Sequence, residues 1–321
     1  MKLFLKTLIF FLFVSSSFIC HAQADNYPNK PIKIIIGNAA GAVSDTFTRL
    51  IAMQLQSLWG QPVIVEARPG GSGSIAAALV AKAPPDGYTL AMVISTHSTN
   101  PFLMKDPGFD TQNSFVPVTM LGRTPTVLSV NSATGITSLR ELVLRAKADP
   151  SKFAFASAGT GGMTHMVGEL FNVTAGTKLL HVPYKGGAPA LNDLLGGQIP
   201  LQFSTAGLIA AHQSNPRIKS IAVAATVRIP SLPNVPTFSE LGYPEIVVEE
   251  WYALVAPTGT PESVIQKINR EINTILKQPS IREKMAGMDV AGSSPSEAGS
   301  FINSEMSRWS KIIQLNNIKA D

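Results

Sequence analysis

From residue 32 onward, short apolar runs alternate with helical patterns. The runs at 32–36, 63–65, 88–94, 115–121, 127–130, 153–157, 179–182, 201–203 and 218–224 read as strands. The segments 44–58, 74–82, 138–148, 163–174, 188–195 and 261–276 carry helical periodicity. Parallel strands need a crossover connection, usually a helix, so this order confines the chain to an α/β fold with helices on both faces of the sheet. A last helix is signalled by Ser294-Pro295-Ser296-Glu297, in which Ser caps, Pro takes the first helical position and Glu closes a capping box. That helix should reach about residue 315, with Trp309 facing inward.

The Pro-rich stretch 229–236, IPSLPNVP, interrupts the alternation, and a strand pattern resumes at 247–255, VVEEWYALV. A chain that leaves one domain and returns to it would do so here. The outward crossing is expected near 122–125 and the return near 249–252, a two-crossing hinge. The expected division is lobe 1 from 25–123 and 251–321, and lobe 2 from 124–250. With 321 residues, each can hold its own core.

Two strand-to-helix corners are built from small residues, IIIGNAAGAVSDTFTRL at 34–50 and FASAGTGGMTHMVGELF at 155–171. In open α/β sheets ligands bind beyond the carboxyl ends of strands, where the unpaired N–H groups of the next helix point into the crevice. Gly41, Gly159, Gly161 and Gly162 let backbone approach a ligand closely, and Ser44 and Thr160 add hydroxyls. Such corners can hold a carboxylate without a cationic side chain; the simpler alternative is that both are helix caps only. Asp45 in a first turn offsets the helix dipole, and His165 fits a structural bond to its own loop. His97, within Ser95-Thr96-His97-Ser98-Thr99-Asn100, falls in what reads as a polar loop lining the cleft.

The N-terminus, MKLFLKTLIFFLFVSSSFICHAQADN, has two lysines, an apolar run and then small residues, the pattern of a secretory signal with cleavage expected after Ala24. The apolar run is broken by Ser15 to Ser17, too short for a spanning helix. The only cysteine, Cys20, lies inside it, so the mature chain should have neither disulfide nor lipid. Loss of Lys2 and Lys6 lowers the net charge from +5 to +3, too little for a nucleic-acid-binding surface. The sequence carries no GxSxG elbow, HExxH, Walker loop or cysteine pair, and its histidines lack metal-ligand spacing. Residues 71–76, GSGSIA, fit GxGxxA, but no acid stands near the ribose position a dinucleotide would need.

Several longer motifs point one way. They are Gln61-Pro62-Val63, Ala67-Arg68-Pro69-Gly70, Pro85-Asp86-Gly87-Tyr88-Thr89-Leu90, Ser157-Ala158-Gly159 and Gly168-Glu169-Leu170-Phe171. Further on stand His181-Val182-Pro183-Tyr184-Lys185-Gly186, Leu194-Leu195-Gly196-Gly197-Gln198, Val235-Pro236-Thr237, and Trp251 ahead of Ala256-Pro257-Thr258-Gly259-Thr260-Pro261. Over essentially its whole mature length the chain resembles the Bug family, the extracytoplasmic solute receptors of tripartite tricarboxylate transporters. The resemblance implies a type II periplasmic-binding-protein fold, two α/β lobes closing on a small organic acid whose carboxylate both corners contact, partly through water.

The candidate ligand-binding residues are Ala40, Gly41, Ala42, Ser44 and Asp45 at the first corner, Ala158, Gly159, Thr160 and His165 at the second, and Thr96, His97, Thr99, Ser204, Thr205 and Trp251 around them. Val43 departs from the family's glycine run and should narrow the pocket. Ser204-Thr205 replaces an Asp-Asn pair common in relatives, removing an acceptor for an amino group. Glu249 and Glu250 are also unusual; one could face the cleft, but a solvated hinge strand is the favoured reading. The expected protein is a periplasmic monomer that binds a small carboxylate and delivers it to membrane permease subunits, without cofactor, metal, nucleic acid or enzymatic activity. The alternatives are an exported α/β hydrolase or transferase, and a receptor presenting its ligand to a signalling partner.

Overall fold

The computed structural model describes residues 27–319. The expected signal segment 1–24, with Cys20, lies outside the described residues. The strands are β1 (Ile32–Ile36), β2 (Val63–Ala67), β3 (Thr89–Ile94), β4 (Phe115–Asn131), β5 (Ala154–Ser157), β6 (Leu180–Pro183), β7 (Leu201–Thr205), β8 (Ile218–Val223) and β9 (Glu249–Pro257). The helices are α1 (Val43–Trp59), α2 (Ser74–Ala81), α3 (Thr96–Leu103), α4 (Leu139–Ala148), α5 (Met163–Ala175), α6 (Gly187–Gly196), α7 (Ala206–Ala210), α8 (Glu262–Leu276), α9 (Pro279–Lys284) and α10 (Pro295–Asn316).

Strand order is β2-β1-β3-β9-β4-β7-β5-β6, with β8 also on β4. β1, β2 and β3 run parallel, as do β5, β6 and β7, so each half of the molecule gathers the carboxyl ends of three strands at one edge. The long strand β4 belongs to both halves. It pairs β9 from Phe115 to Pro125, then β7 from Thr126 and β8 from Val127. The sequence reading has two strands here, 115–121 and 127–130, with the outward crossing at 122–125 between them; the strand is continuous because it changes partner at Pro125, the residue that lacks an N–H. The two expected crossings lie side by side, with Gly122 opposite Tyr252, Arg123 opposite Trp251, Thr124 opposite Glu250 and Pro125 opposite Glu249.

Each half has its own apolar core. In one, Ile34, Phe47, Ile51, Leu254 and Ile268 are buried together; in the other, Leu128, Phe155, Phe171 and Phe203. α8 shows why such segments are helical: Val264, Ile265, Ile268, Ile272 and Ile275 recur at spacings that line one face, and all are buried. α10 starts at the expected capping box, with Ser294 and Glu297 bonded reciprocally. It joins the halves, since Ile302 and Met306 pack in the β9 region while the fully buried Trp309 packs with Phe171 and Phe203. Among the described residues no helix is long and apolar enough to cross a membrane.

Candidate functional site

At the first corner, the chain leaves β1 and turns through Ala40 and Gly41 into α1, with Ala42 in the cap position. Ala42 has no side chain with which to cap, and Asp45 serves instead from inside the helix. Its carboxylate accepts from the Gly41 N–H at 2.9 Å and from Arg49 Nε at 2.8 Å. Burial pushes the Asp45 carboxyl up, but the Arg49 and Gly41 bonds outweigh it and hold the group below the usual carboxylate range. Ser44 is buried beside it, and its hydroxyl has no hydrogen-bond partner.

The second corner satisfies much of its own backbone. Ala158 N–H donates to Thr164 Oγ1 at 2.9 Å, Gly159 N–H to Ser157 Oγ at 3.1 Å and Gly161 N–H to His165 Nδ1 at 3.1 Å. The sequence reading counts these amides as available donors. In the fold, neighbouring polar side chains take them up, because a buried N–H without a partner is costly. His165 thus holds its loop, and its ring stacks on His181 with centroids 3.9 Å apart. Gly159 at φ 142° and Gly161 at φ 79° occupy backbone conformations that side chains resist.

The two strand-end edges meet. Ser72 Oγ donates to the Thr160 carbonyl at 3.0 Å and Thr99 Oγ1 to the Gly161 carbonyl at 2.9 Å. On the hinge side, Gly287 lies so close to Gly207 at the start of α7 that a Cβ on Gly287 would stand 2.6 Å from the Gly207 Cα. Between these contacts, Glu250 accepts from Ser95 N–H at 3.2 Å and from Ser95 Oγ. The favoured reading of a solvated hinge strand therefore does not hold for Glu250, which is buried and accepts two hydrogen bonds from Ser95.

The remaining candidates are more dispersed. Residues 96–103 form α3 where the sequence reads as a polar loop; four Ser and Thr hydroxyls around His97 conceal the helix, and Ser98 and Thr99 turn theirs back to backbone carbonyls. Thr96 and His97 line a small hollow with Asn38, Gly73 and Asn100. His97 stacks on Phe109 at 5.5 Å, and burial lowers its pKa to about 4, which keeps the ring neutral. Ser204, at the end of β7, has an unpartnered buried hydroxyl facing Gly187, while Thr205 is half-buried at the cap of α7. Trp251 points to the opposite face of β9 from Glu250, into the core against Phe301, and is fully buried with its indole N–H unpartnered. Sequence reasoning missed Ser72, Ser95 and the paired role of Glu250. The turn 71–73, whose glycines suggest a nucleotide loop, instead carries Ser72 to the facing edge. Among the described residues, no cluster of three or more His, Cys, Asp or Glu could hold a metal ion.

Comparison with known proteins is consistent across sequence and structure. The family model described as the tripartite tricarboxylate transporter family receptor matches residues 47–318. Protein BugT of Bordetella pertussis is 34% identical over 301 residues, 92% of each chain. A protein of R. palustris solved with adipate is 31% identical at a TM-score of 0.84, covering 91% of this chain and 99% of that one. MatC from Rhodopseudomonas palustris, solved with bound malate, is 27% identical at 0.81, covering 89% and 100%. The fold is that of the two-lobed periplasmic binding proteins, and the relatives are solute-binding receptors, not enzymes. The chain belongs to the receptor family of the tripartite tricarboxylate transporters.

Proposed function

We propose that this chain, after loss of residues 1–24, is a monomeric periplasmic receptor that captures one small carboxylate between lobe 1 (25–123 and 251–321) and lobe 2 (124–250) and hands it to membrane permease subunits. The ligand carboxylate sits between the first corner, Ala40 to Asp45, and the second, Ala158 to Thr160. Asp45 and His165 shape the loops, and Thr96, His97, Thr99, Ser204, Thr205 and Trp251 form or back the surrounding walls. No cofactor or metal takes part.

The observation that carries this reading is Ser44. The residue is 3% exposed and its buried hydroxyl is unpartnered at the first turn of α1, where helix amides already favour an anion. A buried hydroxyl left without a partner is destabilising, so an acceptor arriving there gains both the hydroxyl and the dipole. Adipate and malate in the two R. palustris proteins support a carboxylate as the ligand class. Ordered water can complete the contacts at little enthalpic loss.

Calorimetric titration with adipate and malate, beside aspartate and glutamate, tests the reading. Ser44→Ala should weaken binding of the preferred acid by about tenfold to a hundredfold, the worth of one hydrogen bond to a charged group. Binding by the variant at wild-type affinity would remove Ser44 from the site.

A further inference from the structure

We propose that the start of α6 is a second carboxylate site, which makes the ligand a dicarboxylate: one carboxylate lies between the two corners, and the other is received by the first amides of α6 together with the Ser204 hydroxyl. The second site rests on the reading that the corners hold a carboxylate, and it narrows the class of acid.

The chain leaves β6 at Pro183, passes Lys185 and enters the ten-residue α6 at Gly187. Gly186 takes the cap position at φ 119° and offers no capping side chain. Pro189, third in the helix, has no N–H, so the orphan donors of this turn are the amides of Gly186, Gly187 and Ala188. Among the described residues these three amides donate no hydrogen bond. At the second corner, by contrast, Ser157, Thr164 and His165 take up the amides of Gly159, Ala158 and Gly161. Of the two helix starts, α6 is the one with donors to spare.

An independent feature is aimed at the same place. Ser204 is 1% exposed, its hydroxyl has no hydrogen-bond partner, and a Cβ on Gly187 would stand 3.7 Å from that oxygen. Gln202, on the same face of β7, donates from Nε2 to the Gly187 carbonyl at 3.0 Å and fixes the turn, while its Oε1 is likewise unpartnered. Leu208 closes the other side, since the same Cβ would lie 3.0 Å from its Cδ2, so the first helical position admits glycine best. A buried hydroxyl without a partner is costly, and a helix start with free amides favours negative charge. A carboxylate answers both, because each of its oxygens accepts more than one bond. Lys185, exposed and without an ion-pair partner among the described residues, adds a formal positive charge one residue before the cap.

A ligand held at the corners can reach this turn. Ser157 pairs with Pro183, and Tyr184 N–H donates to the Ser157 carbonyl at 3.1 Å, so the second corner and the approach to α6 leave neighbouring strands about 5 Å apart. α7, directly after Ser204 and Thr205, meets the facing half where Gly207 approaches Gly287. The turn therefore stands on the edge that the two halves share, at a spacing suited to the two ends of a short diacid.

Titration calorimetry compares succinate, glutarate and adipate with butyrate, pentanoate and hexanoate, acids of the same chain lengths that carry one carboxylate. The wild type should bind at least one diacid about tenfold to a hundredfold more tightly than its monocarboxylate counterpart, the worth of a hydrogen bond to one more charged group. Ser204→Ala should lower that preference by about tenfold, and the melting temperature of the ligand-free chain should not fall, because the deleted hydroxyl has no partner there. Equal binding of diacids and monoacids by the wild type would overturn the second site and leave the grip of the two corners standing. A Ser204→Ala variant that weakens both classes by the same factor would overturn it as well, reducing Ser204 to part of the wall. If no acid of either class binds, the carboxylate reading and the second site fall together.

Discussion

Thr99→Val removes one oxygen and keeps the shape of the side chain. In the fold, Thr99 Oγ1 donates across the interface to the Gly161 carbonyl at 2.9 Å, and Gly161 is buried. Among the described residues, its one other contact of this kind is the weaker 3.3 Å approach to the Thr96 carbonyl in its own helix. Valine therefore deletes one interlobe hydrogen bond, worth about 1 kcal/mol net, and leaves a buried carbonyl short of a partner, which adds roughly another 1 kcal/mol. Both costs fall on the closed form, because opening returns the Gly161 carbonyl to water. A loss of about 1–2 kcal/mol in closure converts to binding about 5–30-fold weaker when closure accompanies binding. Titration calorimetry with the preferred acid measures it, and thermal unfolding of the ligand-free chain should stay cooperative with little shift. Affinity within twofold of wild type would show that the Thr99 contact does not support the ligand-bound state.

Gly168→Ala should lower stability by about 1–3 kcal/mol without touching the ligand, since its Cβ would lie 2.3 Å from the buried Phe155 ring; denaturant unfolding reads the change. Gly287→Ala should hinder closure, because the new Cβ meets the Gly207 Cα across the hinge-side contact, and scattering with saturating acid should show a larger radius of gyration than wild type. Asp45→Asn should destabilise the chain at neutral pH. The lowered Asp45 pKa means that its contribution is present above the ordinary carboxylate range and lost as pH falls through the lowered value, so the gap from wild type should close on acidification. Glu250 runs the other way: its raised pKa gives a contribution fully present below the ordinary carboxyl value and lost as pH rises through about 7, so Glu250→Gln should melt above wild type at pH 8.5 and near it at pH 5.

Helices with an uninterrupted apolar stripe or a defined cap were legible in sequence to within a residue or two, as α1, α8 and the capping box of α10 show. α3 was not, because its run of hydroxyls, which turn back onto their own helix's carbonyls, reads as a loop, and because His97 is lodged between Phe109 and Phe115, contacts that lie outside the segment itself. The first corner's residues point to the Ser44 hydroxyl, a local feature. The second corner's amides looked free because nothing in FASAGTGGMTH states that Ser157, Thr164 and His165 will fold back on them. Glu250 illustrates the general limit. Alternation along VVEEWYALV leaves open which acid turns inward, and only the pairing of β9 with β3 and β4 brings Glu250 to Ser95. Trp251 was placed near the ligand by its position in a motif, whereas strand alternation sends it to the core.

The central claim is that a small carboxylate without an amino group is held between the two corners. Ser204 and Thr205 offer hydroxyls but no charge to an ammonium, and Glu250 is already engaged by Ser95. The direct measurement is native mass spectrometry of the mature chain purified without denaturation, with release and identification of whatever small molecule it retains. The account predicts one mono- or dicarboxylic acid per chain, free of amino nitrogen. Retention of an amino acid, or of a ligand with no carboxylate, would contradict it.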